Sequence, residues 1–124
     1  MKHILIIDDE EDIRDVAQVS LEIVGGWRVS SAGSGPEGLA QMQTDPPDAI
    51  LLDVMMPDVD GIEVFKQMQA DPKLKTIPVI LMTAKTQTTD QQHFLSLGIA
   101  AIITKPFKAM QLADQVAEIL EWEG

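Results

Sequence analysis

The chain contains no cysteine among its 124 residues, which removes a disulfide framework, a thiolate nucleophile and any cysteine-based zinc site, and leaves redox compartment unreadable. Histidine is almost as scarce: His3 and His93 lack the paired spacing of metal ligands, and each reads as an ordinary surface or edge histidine. Long apolar runs are missing too. Met1 and Lys2 lead straight into a short strand-like stretch, too brief for the core of a signal peptide, and nothing approaches the length of a membrane span. The expectation is a soluble cytoplasmic protein with no membrane contact. Basic residues are few: Lys and Arg number 9 against 20 Asp and Glu, a formal net charge of -11. Such a surface repels nucleic acid phosphate, so direct nucleic acid binding is not expected, while a basic protein partner stays open.

What is present is a repeated pattern. Residues 4–7 end on Asp8-Asp9, residues 49–52 on Asp53, residues 79–82 on Thr83, and residues 100–103 on Thr104-Lys105. Between these apolar runs lie stretches of helical period, and that alternation predicts an α/β fold on a parallel sheet within a single domain, residues 1–124. Parallel strands share a carboxyl edge, so the reactive residues would gather in one pocket.

The helical stretches follow from spacing. Ile13, Val16, Ala17, Ser20, Leu21 and Val24 fit the i, i+3, i+4, i+7 template, and Gly25-Gly26 stops that helix. Residues 27–32 read as a strand, 36–43 as a short helix stopped by Asp45-Pro46-Pro47, and 57–61 as a turn before the stripe Ile62, Phe65, Met68. The polar residues 86–92 predict a weakly held helix, with Phe94, Leu95 and Leu97 packing the turn that follows. Leu112, Ala113, Val116, Ile119 and Leu120 share the face of a firmer last helix, ending near Trp122.

Three carboxylates at one edge repel one another, and without a cation one of them shifts toward its neutral form. Hard oxygen ligands without nearby Cys or His suit Mg²⁺, which keeps several waters and takes one or two carboxylates plus phosphate oxygens. Lys105 offers a point charge for phosphate and Thr83 a hydroxyl. Phosphoryl transfer needs an aligned nucleophile, a metal and donors for the equatorial oxygens, and a carboxylate such as Asp53 qualifies as that nucleophile.

Four motifs carry a resemblance: Ile-Ile-Asp-Asp at 6–9, Leu-Leu-Asp-Val-Met-Met-Pro-Asp-Val-Asp-Gly at 51–61, Met-Thr-Ala at 82–84 and Thr-Lys-Pro-Phe at 104–107. In this order, each after an apolar run, they resemble the receiver domain of the two-component response regulators over residues 3–121. The resemblance implies a flavodoxin-like, doubly wound (βα)5 fold with five parallel strands in the order 2-1-3-4-5. It implies that Asp53 is the phosphoacceptor, that Asp8 and Asp9 hold Mg²⁺ with Asp53 and the backbone carbonyl of Met55, and that Thr83, Lys105 and the Ala84 backbone amide grip the phosphoryl group. A cis peptide before Pro106 is usual in the family. The implied partner is a sensor histidine kinase or a histidine phosphotransfer protein; the downstream protein target is open, and a homodimer is possible. Such a domain is not an enzyme beyond catalysing its own phosphorylation and dephosphorylation.

One position departs from the family pattern. Where a Tyr or Phe usually follows the switching hydroxyl of Thr83 inward, this chain has Ile102. Aliphatic repacking or the fourth helix is therefore expected to carry the signal. Bulk at Met55, with Lys85 as the other position that sets phosphoryl lifetime in the family, predicts slow self-dephosphorylation. The resemblance also leaves a stand-alone receiver or one excised from a longer regulator as the two expectations.

Other readings compete. A small Mg²⁺ phosphatase acting through an aspartyl phosphate would need a cap domain or substrate pocket, and a receiver signalling without phosphate would lack an acid or the lysine. Gly33-Ser34-Gly35-Pro36-Glu37-Gly38 satisfies a dinucleotide-binding glycine pattern, but it follows the second strand and leaves Asp8, Asp9, Thr83 and Lys105 without a role. The glycines are read as shaping the loop. Asp58-Val59-Asp60-Gly61 is read as a turn in preference to a phosphatase motif or a calcium loop.

Overall fold

The computed structural model describes residues 1–56, 59–84 and 91–122, the side chains of 91–93 excepted. Five strands, β1 (His3–Ile7), β2 (Arg28–Ala32), β3 (Ala49–Asp53), β4 (Val79–Ala84) and β5 (Ala101–Lys105), alternate with α1 (Glu11–Ile23), α2 (Gly35–Thr44), α3 (Gly61–Gln69), α4 (Gln91–Ser96) and α5 (Ala109–Leu120). The strands form one sheet in the order β2-β1-β3-β4-β5, and every neighbouring pair is parallel.

The unbroken apolar runs follow from helices covering both faces. On one face Leu5, Ile7, Leu52 and Leu81 pack with Met42 of α2, Phe65 of α3 and Phe94 of α4. On the other, Ile6, Leu51, Ile80 and Met82 pack with Leu21 of α1 and Val116 of α5. The interior strand β3 is buried at every position, whereas the edge strand β5 is fully buried only at Ile103. Among the described residues, no helix is long and apolar enough to cross a membrane.

Element bounds depart from the sequence expectations mostly by a residue or two, but the faces of α1 need correction. Ala17, Ser20 and Leu21 are buried, while Val16 and Val24 are 44% and 38% exposed. Val16 lies roughly a quarter turn from the buried line, and Val24 is the C-cap, beyond the last helical residue. Gly26, at φ 73°, turns the chain out of the helix. Ser20 compensates for its polarity by donating its hydroxyl to the Ala109 carbonyl, which ties α1 to the start of α5. Of the weakly held helix expected over 86–92, residues 86–90 lie outside the described residues; α4 begins at Gln91 and buries Phe94.

His3 is the second correction. It is neither at the surface nor at an edge: β1 is an interior strand and the residue is only 5% exposed. An Arg28 guanidinium N–H faces its Nδ1 at 3.0 Å, so Nε2 carries the ring proton and donates to Ser30 Oγ at 2.8 Å. Burial, then the Arg28 charge, lowers its pKa against the pull of Asp45 and Asp48, which suits a neutral ring. The side chain of His93 lies outside the described residues.

Candidate functional site

The parallel register brings four strand ends together. Asp8 follows the last residue of β1, Asp53 closes β3, Thr83 is the penultimate residue of β4 and Lys105 closes β5. Asp8 and Asp53 are 0% and 4% exposed, Thr83 is 1% exposed, and Asp9 faces solvent. Carboxylate oxygens of Asp8, Asp9 and Asp53 all lie within 4.8 Å of one another. The Lys105 ammonium donates to Asp8 Oδ2 at 2.8 Å and sits 3.3 Å from Asp53 Oδ1, so one cation meets two buried anions.

That imbalance appears in the electrostatics. Burial, followed by repulsion from Asp8, pushes the Asp53 carboxyl up to about 6, and Lys105 offsets only part of this. Burial by itself would lower the Lys105 pKa, but the Asp8 hydrogen bond and the charges of Asp53 and Asp8 raise it overall. The ammonium therefore stays charged. A pocket of three hard oxygen donors with a deficit of positive charge fits Mg²⁺.

Thr83 contributes a different signal. Among the described residues its Oγ1 is buried without a hydrogen-bond partner, and a buried hydroxyl left unsatisfied costs about 1–3 kcal/mol. Strand alternation places Thr83 on the sheet face of Leu81 and Val79. Ile102, the register partner of Leu81, packs half-buried against the same cluster. Ala84 pairs with Lys105 in the β4–β5 register. Met55 is 65% exposed at the mouth, and its N–H donates to Asp53 Oδ1 at 3.3 Å. The Lys105–Pro106 bond is cis. Lys85 lies outside the described residues.

Two residues of the site were not singled out from sequence. Arg14 donates from Nη1 to the Asp8 carbonyl at 2.7 Å. Gly61, read only as the end of a turn, begins α3 so close to β3 that an added Cβ would lie 2.3 Å from the Asp53 carbonyl oxygen. Its place within the 51–61 motif was the available signal. Because that neighbour is backbone, it cannot swing aside: Gly61→Ala is expected to cost about 1–2 kcal/mol and to displace the Asp53 amide resonance. An unchanged urea midpoint and spectrum would show the contact to be harmless.

The competing motifs resolve into local structure. Ser34 caps α2 by accepting the Glu37 N–H, and the Glu37 carboxylate accepts the Gly33 N–H, so two of the loop donors open to a dinucleotide phosphate are taken. Gly38 serves packing, since its Cβ would lie 2.4 Å from Ile7 Cδ1. Asp60 is the N-cap of α3, accepting the Glu63 N–H at 2.9 Å; Asp58 lies outside the described residues.

Comparison with known proteins agrees with this fold. The family described as response regulator receiver domain matches residues 4–117. The alkaline phosphatase synthesis transcriptional regulatory protein PhoP of Bacillus subtilis is 40% identical over 119 residues, 96% of this chain and 48% of that protein. The response regulator SaeR of Staphylococcus aureus is 39% identical over 120 residues, 97% of this chain and 51% of that protein. The chain thus spans about half the length of these curated relatives. Among solved structures, chemotaxis protein CheY4 of Vibrio cholerae superposes with a TM-score of 0.87 at 28% identity, covering 96% of this chain and 98% of that one. The N-terminal domain of a response regulator receiver protein from Methanoculleus marisnigri gives 0.79 at 36% identity, with 99% of both chains covered. The phosphatase reading is not favoured by these matches. With its sheet order, its acidic cluster and its lysine in place, the chain belongs to the receiver domains of two-component response regulators.

Proposed function

We propose that Asp53 accepts a phosphoryl group from a phosphohistidine on a sensor histidine kinase or histidine phosphotransfer protein, and that the resulting aspartyl phosphate switches a protein-interaction surface. The observation that carries this reading is Lys105, whose ammonium lies 2.8 Å from Asp8 and 3.3 Å from Asp53 at the sheet edge where β4 carries Thr83. A nucleophile, a counter-charge and a hydroxyl donor share one sheet edge.

In the transfer, the N–P bond of the donor imidazole breaks as a bond forms between phosphorus and an Asp53 carboxylate oxygen. Asp8, Asp9, Asp53 and the Met55 backbone carbonyl would hold Mg²⁺, which when bound supplies positive charge to the phosphoryl oxygens. Lys105 stays protonated and follows the charge as it moves from donor to acceptor. The Thr83 hydroxyl and the Ala84 amide would then donate to the phosphoryl oxygens. Movement of Thr83 would be read by Ile102, on the same sheet face, through aliphatic repacking, or by α4. Met55 at the mouth would hinder an attacking water and slow the loss of the phosphoryl group. The chain would catalyse no reaction beyond its own phosphorylation and dephosphorylation.

The test is incubation with acetyl phosphate and Mg²⁺ followed by intact-mass spectrometry. One added phosphoryl group is expected on the wild type and none on Asp53→Asn. No addition, or an addition that survives in Asp53→Asn, would refute the assignment. Turnover of p-nitrophenyl phosphate would instead favour the phosphatase reading.

A further inference from the structure

Asp8 is held at each of its polar groups. Its N–H donates to the Ala32 carbonyl at 3.1 Å, one step past the last β1–β2 register pair, Ile7 with Ala32. Its Oδ1 accepts the Glu10 N–H at 2.9 Å and its Oδ2 accepts Lys105 at 2.8 Å. The remaining group is the carbonyl. The β1–β3 register ends at Ile7 with Leu52, so this carbonyl has run beyond the ladder. Arg14, half-buried in α1, reaches back to fill the gap with Nη1 at 2.7 Å.

The β2–α2 loop makes room for that reach. A Cβ at Gly33 would lie 3.3 Å from Arg14 Nη1, tighter than ordinary packing. Gly33 is not among the glycines with positive φ. The close approach at this position is therefore to the guanidinium, and no positive φ calls for glycine there.

We infer that Arg14 is a positioning residue for the divalent cation site: by fixing the Asp8 carbonyl it sets the direction of the Asp8 carboxylate, with Gly33 keeping the space it needs. This rests on the reading that Asp8, Asp9 and Asp53 take Mg²⁺. Mg²⁺ demands near-ideal octahedral geometry, so a small rotation of one buried ligand weakens binding. Partners that orient metal ligands from behind are commonly worth about 10–100-fold in affinity. The rigid guanidinium holds this geometry better than a lysine ammonium on a flexible stem.

The experiment is a Mg²⁺ titration of ¹⁵N-labelled wild type, Arg14→Ala, Arg14→Lys and Gly33→Ala, each below its unfolding transition. It follows the Glu10 amide, which donates to Asp8 Oδ1. The half-saturating Mg²⁺ concentration is expected to rise about tenfold in Arg14→Ala and by less in Arg14→Lys and Gly33→Ala. Phosphorylation by acetyl phosphate should fall at limiting Mg²⁺ and recover at saturating Mg²⁺. Gly33→Ala retains the guanidinium and only displaces it, so it tests the inference even if Arg14→Ala does not fold. Wild-type half-saturation in folded Arg14→Ala, or in Gly33→Ala should Arg14→Ala not fold, would overturn the inference, as would a rate that saturating Mg²⁺ does not restore. Absence of any Mg²⁺-dependent shift in the wild type would instead overturn the metal reading beneath it.

Discussion

Lys105→Met is expected to destabilise the metal-free protein by about 3 kcal/mol at neutral pH and to slow phosphoryl uptake from acetyl phosphate by at least about a hundredfold. Removing one partner of a buried ion pair leaves the other charge uncompensated, and here one ammonium serves both Asp8 and Asp53. The lower end of the usual range applies because 17% of the Lys105 side chain is exposed and because a stranded carboxyl escapes by taking up a proton. That escape fixes the pH dependence. Without Lys105 the Asp53 pKa rises further, and a raised carboxyl pKa contributes stability at low pH that is lost as pH rises through the folded-state value. The deficit should therefore shrink as pH is lowered from 7.5 toward 4.5, and added Mg²⁺ at neutral pH should reduce it too. Urea unfolding at the two pH values checks this; an equal deficit at both would mean that Lys105 acts through packing and not through charge.

Asp53→Asn is expected to have the opposite effect on stability while abolishing phosphorylation. Burial and Asp8 raise the Asp53 pKa from 3.8 to about 6 even with Lys105 beside it. At about 1.4 kcal/mol per unit, the charged form weakens the metal-free fold by roughly 2–3 kcal/mol at pH 7.5. Stability from this group is fully present below 3.8 and lost as pH rises through about 6. The asparagine variant should thus be more stable by about 2 kcal/mol above pH 7, with the advantage fading toward pH 4. Mg²⁺ should narrow the gap, since a ligand of the folded state stabilises by mass action and the variant has lost one carboxylate. Thermal unfolding with and without Mg²⁺ at both pH values is the measurement. A variant no more stable than wild type at pH 7.5 would show that Lys105 and local water already neutralise the strain.

These opposing effects explain why the site was legible in the sequence. A carboxylate such as Asp53 or Asp8 at the end of a fully apolar run is a local misfit, and parallel strands gather such misfits at one edge. The strand order followed from the resemblance carried by the motifs, and the observed order agrees. What remained hidden depends on distances between segments. Arg14 sits amid a charged helix start and looks like its neighbours until its reach to the Asp8 carbonyl is seen. Gly61 looks like any turn glycine, because the backbone it nearly touches lies eight residues earlier. His3 reads as a surface or edge histidine because periodicity does not reveal which strands are interior, and Val16 fits the helical template because that template tolerates a position at the rim of the buried face.

The two ends of the ion pair ride on unequal supports. Asp53 closes β3, a strand buried throughout and laddered on both sides, to β1 and β4. Lys105 closes β5, laddered on one side only and largely half-exposed. In mechanical terms Asp53 is mounted on a fully buried interior member of the sheet and its counter-charge on a compliant edge one. An incoming phosphoryl group would therefore meet a fixed anvil opposed by a sprung jaw, and the displacement it causes would leave through the outer strand, with the sheet's centre left undisturbed.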